Sequence, residues 1–115
     1  MTQMGAHKLF DNVTIGAGGS ATSAAVYMGQ AQTMALHLQS ITGTGPDVSF
    51  TYQVSTNKDS DFITPSSPVT IGVNQAAANV LDFAPEAAKF IKIIATNNNG
   101  AQTVTLTAVL AMQED

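Results

Sequence analysis

The sequence predicts an all-β protein, an antiparallel β-sandwich of jelly-roll-like type with about eight strands, on three observations. Val48-Ser-Phe-Thr-Tyr-Gln-Val-Ser55 places apolar residues at even positions and small neutral polar residues between them, the period of a half-buried strand. Clusters of Gly, Asn, Asp and Pro recur between short runs of this kind. No segment shows the 3.6-residue period of an amphipathic helix.

Taken in order, Leu9 to Ile15 reads as the first strand, Gly16-Ala-Gly-Gly-Ser20 as a flexible break, and Thr22 to Met28 as the second strand. Met34, Leu36 and Leu38 define one face of a third strand, with Ala35, His37 and Gln39 on the other, and Thr42 to Asp47 supplies a turn. Val48 to Ser55 follows as the fourth strand and turns at Thr56 to Asp61. In Phe62 to Leu81, Pro65 and Pro68 forbid a central strand, Val69 to Ile71 suits a short edge strand, and Gln75 to Asn79 is a helical turn or a loop. Asp82 to Glu86 reads as a corner entering the strand Lys89 to Thr96. Asn97-Asn-Asn-Gly100 carries a hairpin signal, because Asn and Gly accept the positive φ of tight turns. The last strand, Thr103 to Met112, is expected to point Val104, Leu106, Ala108 and Leu110 inward and Thr103, Thr105 and Thr107 outward.

At 115 residues the chain suits one domain, with residues 1–8 expected as a flexible N-terminal arm and 9–115 as a single β-sandwich. Only 10% of its residues are charged, against about a quarter in an ordinary domain, so hydroxyls and amides must solvate the surface. The basic residues are Lys8, Lys58, Lys89 and Lys92 at a net charge of -4, too few and too scattered to neutralise several phosphates, and nucleic acid is not an expected partner. The absence of cysteine excludes disulfides and thiolate chemistry. Met1 to Ala6 has no basic start or apolar run and no later stretch approaches a membrane span, so the expectation is synthesis in the cytoplasm and no membrane partner.

No residue pattern announces catalysis, and no cofactor is expected. His37 lies on a polar strand face and His7 precedes the first strand, so both are expected to be exposed or locally hydrogen-bonded. Asp59 and Asp61, with Asn57 and Asp47, offer hard oxygens for Ca²⁺, but the loop lacks the EF-hand pattern and reads as a turn that caps the preceding strand. Gly16 to Ser20 is not followed by the Lys-Ser or Lys-Thr of a phosphate loop, and Asn12-Val-Thr14 matches a glycosylation acceptor only by chance. A glycan-binding face needs exposed aromatics; Tyr52 is in phase with the core, which leaves Tyr27.

Assembly is the stronger theme. In Lys89 to Thr96, Ile91 and Ile93 take one face and Phe90 and Ile94 the other, so both faces need cover, one of them from the N-terminal segment or another subunit. Most strands lack the charges that usually protect sheet edges, which predicts a homo-oligomer, a dimer or trimer.

Three stretches, Phe50 to Phe62, Phe83 to Ile93 and Thr103 to Ala111, resemble small bacteriophage virion structural proteins with a β-sandwich fold, of the capsid decoration or cement type. The first is similar to that family's tyrosine, glutamine, serine, aspartate-turn, phenylalanine run, with Ser60 where glycine often stands. The second is similar to its proline corner leading into an aromatic-basic-aliphatic strand. The resemblance implies a non-enzymatic protein on the outer capsid surface whose partner is the major capsid protein, or a minor head or tail component. It carries over no functional residue. Expected assembly contacts are Phe90, Ile94 and, on the arm, His7 and Lys8. The alternative is a module that binds glycans or a cell surface.

Overall fold

Alternation fixes which side of each strand is buried, and the burial fixes two sheets. In the computed structural model, which describes residues 3–29 and 31–114, one sheet runs in the order β1 (Gln3–Ile15), β9 (Val104–Glu114), β4 (Ala31–Gly43), β7 (Asn79–Phe83). The other orders β2 (Ser20–Thr22), β8 (Phe90–Asn97), β5 (Val48–Ser55) and β6 (Gly72–Gln75), with β3 (Val26–Tyr27) pairing farther along β8. Every pairing is antiparallel. Leu36, Leu106, Leu110, Ile91 and Ile93 meet between the sheets with no exposed surface, flanked by Phe50, Tyr52 and Phe83. At roughly 25 cal/mol per Å² of apolar surface, this layer is the main source of stability in a chain without disulfides.

β2 and β3 are one strand split at Ser23. The Ser23 hydroxyl accepts from Ile93 N at 3.0 Å and donates to Ala24 O at 3.0 Å, so a side chain takes over the ladder where the backbone leaves it. With β2 and β3 counted together, the strand number is the expected eight and the pairing is nested: first with last, second with second-last, and so inward to β5 with β6. That is a long hairpin rolled into two layers, the jelly roll.

Four expectations are corrected. The first strand starts at Gln3, not Leu9, because Gln3 to Lys8 pair with Val109 to Glu114; residues 3–8 are laddered, and Met1 and Thr2 lie outside the described residues. The Asn97 to Gly100 turn is not a hairpin, since β8 and β9 belong to different sheets and the turn carries the chain between layers. The short edge strand is Gly72 to Gln75 instead of Val69 to Ile71, and Asn79 to Phe83, read in part as loop and corner, pairs with β4. Thr107 is buried although its position points outward, because a bulge in β1 sets Asn12, at φ 51°, across it with Asn12 N donating to Thr107 Oγ1 at 3.0 Å.

Candidate functional site

The outer face of the β2-β8-β5-β6 sheet is built from cross-strand rungs of neutral residues. Ser20, Thr96 and Ser49 form one rung, and Thr22, Ile94 and Thr51 the next. Ser20 Oγ and Thr96 Oγ1 lie 3.2 Å apart, so hydroxyls satisfy each other across the strands. Gln53 and Lys92 follow, and the Lys92 ammonium sits 4.2 Å from the centre of the Phe62 ring, a cation–π contact that shields its charge. The last rung brings Phe90 between Ser55 and Tyr27.

Phe90 and Ile94 are half-buried on this face. Phe90 takes its cover from Tyr27, the ring centroids being 5.6 Å apart and the planes tilted by 57°. The N-terminal segment does not supply it, because that segment is laddered to β9 in the other sheet. Tyr27 remains 60% exposed and presents an edge of an aromatic pair, not a flat two-ring platform.

The two histidines are not brought together for chemistry. His7 pairs with Leu110, whereas His37 pairs with Val109, so they belong to adjacent rungs of one sheet and opposite faces of it. His7 and Lys8 are both exposed, and Lys8 Nζ is 3.9 Å from Asp11 Oδ1, a surface contact worth little.

Nor do the acidic residues converge. Asp47 precedes β5 and is held by Asn98, whose N donates to Asp47 O at 2.7 Å, while Asp59 and Asp61 follow the far end of that strand, roughly 25 Å away at about 3.3 Å per residue. Asp61, at φ 61°, accepts from Asn57 Nδ2 at 3.0 Å and Ser60 Oγ at 3.2 Å, and Ser55 Oγ donates to Ser60 O at 2.7 Å. The loop is tied by its own side chains. Among the described residues, no three His, Asp or Glu side chains gather as a metal site.

Sequence reasoning missed a groove of about 330 Å³ beside this loop, lined by Val54, Ile63, Pro65, Ala88 and Glu86. It exists because Val54 and Ile63 exchange backbone hydrogen bonds of 3.0 and 2.9 Å, which leaves Ile63 65% exposed. Two prolines nearby hid that bridge from a reading by periodicity. Tyr52, placed in the core as expected, donates from its hydroxyl to Glu86 Oε1 at 2.6 Å and accepts from Val69 N at 2.9 Å. Burial, and then the hydrogen bond to Glu86, push the phenol above its usual range. The acidic groups of the groove are thus already engaged.

No protein family matches the sequence, and no curated protein does. Solved structures share the fold. The VP2 subviral particle of infectious bursal disease virus is similar at a TM-score of 0.57 and 12% identity over 98% of this chain and 33% of that one. The CBM36-1 domain of a multidomain xylanase from the hindgut metagenome of Trinervitermes trinervoides gives 0.52 and 7% over 95% and 96%. A family two carbohydrate esterase from Cellvibrio japonicus gives 0.51 and 10% over 100% and 35%. The chain therefore spans about a third of the virus protein and of the esterase, and nearly the whole of the CBM36-1 domain. At these identities the likeness is one of fold.

Proposed function

We propose that this chain is a non-enzymatic phage virion structural protein, a decoration or cement protein that binds the major capsid protein on the outer head surface and stabilises the shell. The observation that carries this reading is the neutrality of the outer face of the β2-β8-β5-β6 sheet. The rungs Ser20–Thr96–Ser49 and Thr22–Ile94–Thr51 hold no charge, and Lys92 is folded under Phe62. Such surfaces meet another protein with little charge desolvation, whereas buried ion pairs often fail to offset that cost. Many weak contacts on a repeating lattice then add by avidity, and no deep pocket is needed. The fold shared with VP2 of a virus particle agrees with a virion role. Phe90 and Ile94 are the proposed contacts on one face, with His7 and Lys8 on the other sheet. Heads assembled without the protein should lose their DNA at a lower temperature than complete heads, and purified protein added back should restore the difference. Equal heat release with and without it would refute the stabilising role.

The exposed ring of Tyr27 supports a second reading, a glycan- or cell-surface-binding module, in keeping with the fold shared with the CBM36-1 domain. Glycan-array binding that is lost in Tyr27→Ala would favour it over the first.

A further inference from the structure

We propose that two copies of this chain dimerise through the outer face of the β1-β9-β4-β7 sheet, about a two-fold axis parallel to the strands that sets Lys8 of each copy against Asp82 of the other.

The register defines this face. One rung runs Lys8–Val109–His37–Val80 and the next Ala6–Ala111–Ala35–Asp82. The middle of the face holds Val109, Ala111 and Ala35, with no carboxylate or lysine among the described residues, while Val80 at the rim is 52% exposed. Two shallow depressions of about 350 and 110 Å³ share His37 and Ala111, so the surface is a trough that a second sheet can approach closely. The opposite sheet differs, because Tyr27 and Phe62 already cover its Phe90 and Lys92.

Charge selects the occupant and its orientation. Lys8 and Asp82 stand on opposite edge strands, one rung apart. A two-fold axis along the strands lays β1 of one copy over β7 of the other, so the pair Lys8–Asp82 forms twice; an axis across the strands would instead set lysine on lysine and aspartate on aspartate. A rung step is about 6.8 Å and stacked sheets sit about 10 Å apart, distances that the two side chains span together. The surface is self-complementary, as a two-fold interface requires. The weak Lys8–Asp11 contact, 3.9 Å and exposed, is no obstacle.

The inference concerns the purified chain and does not depend on the virion reading, which heads and virions test separately. Sedimentation over a range of concentrations should show a reversible dimer. Lys8→Glu and Asp82→Lys should each weaken it about tenfold or more, and the double variant should return to within about threefold of the parent. Ala111→Glu should abolish it, with circular dichroism and thermal melts showing that each variant is folded. A zero-length carbodiimide link between Lys8 and Asp82 should form only between copies, since within one copy three strand spacings and one rung step set the residues about 16 Å apart. A monomer at every concentration overturns the proposal. So does a dimer indifferent to all of these substitutions, which would place the contact elsewhere, such as the free edge of β1.

Discussion

Asn97 shows how one residue joins the layers. Its side chain, 1% exposed, donates from Nδ2 to Ile15 O, Gly16 O and Gln102 O at 3.2, 3.2 and 2.9 Å and accepts from Asn99 N at 3.0 Å. An amide suits this place because it offers donor and acceptor at one end. Asn97→Ala leaves buried backbone groups unpaired and is expected to cost about 2–3 kcal/mol in a urea titration. Asn97→Asp is expected to cost more at neutral pH, since a carboxylate would face three carbonyl oxygens. Turn chemistry was legible here from the Asn-Asn-Asn-Gly run. The buried role was not, because two of the acceptors lie more than eighty residues away.

Tyr52 was legible as core from the alternation around it, while its partner Glu86, 34 residues on, was not. The raised phenol makes alkaline stability a test of that contact. A tyrosine whose folded value lies above the unfolded one, about 10, keeps its full contribution below pH 10 and loses it as pH climbs through the folded value. Stability should therefore fall more steeply above pH 10 in the parent than in Tyr52→Phe, which should itself be weaker by about 1–2 kcal/mol at pH 7 for want of the hydroxyl's two bonds. Parallel alkaline limbs in the two proteins would contradict this assignment.

Among the elements, strands with two-residue alternation and packed inner faces were readable, as β5 and β9 show, because one buried face fixes the register. The region from Phe62 to Phe83 was not. There β6 and β7 are short edge strands in different sheets, and much of their side-chain surface faces solvent, so hydrophobic period has little to act on. β1 was readable only from Leu9, since Gln3 to Lys8 gain their strand conformation from β9 and not from a pattern of their own. Bulges after Lys8 and Phe10 then bend the strand and end its regular edge.

The exit of β4 depends on a glycine that the sequence marked only as part of a turn. Gly43 has φ 144°, and a Cβ there would stand 2.7 Å from Thr103 O. Gly43→Ala is expected to destabilise the fold by about 2 kcal/mol in denaturant melts, from strained backbone and a clash with main chain that cannot swing away. Gly16→Ala, with open space where its Cβ would lie, should stay within about 0.5 kcal/mol of the parent. Equal effects would mean that the corner at Gly43 yields more readily than its geometry indicates.

At the scale of the whole molecule, the nested strand pairing explains why the fold class was legible and the strand order was not. Alternation says which face is buried, but nothing local says that β1 must find β9 across the length of the chain. The same holds for the contact surfaces: the scarcity of charge was visible in the composition, whereas the rungs that place Lys8 and Asp82 at opposite edges of one face exist only in the folded sheet. Both outer faces are largely neutral, one covered in part by its own aromatics and the other open. Under the proposed role such surfaces serve contact, and on a capsid they would do so in many copies. The most direct measurement of the proposed role is the copy number of this chain in purified virions of a phage whose genome carries its gene, by quantitative mass spectrometry against the major capsid protein. A decoration protein is expected at a copy number comparable to that of the capsid protein; absence, or only a few copies per particle, would contradict the proposed role.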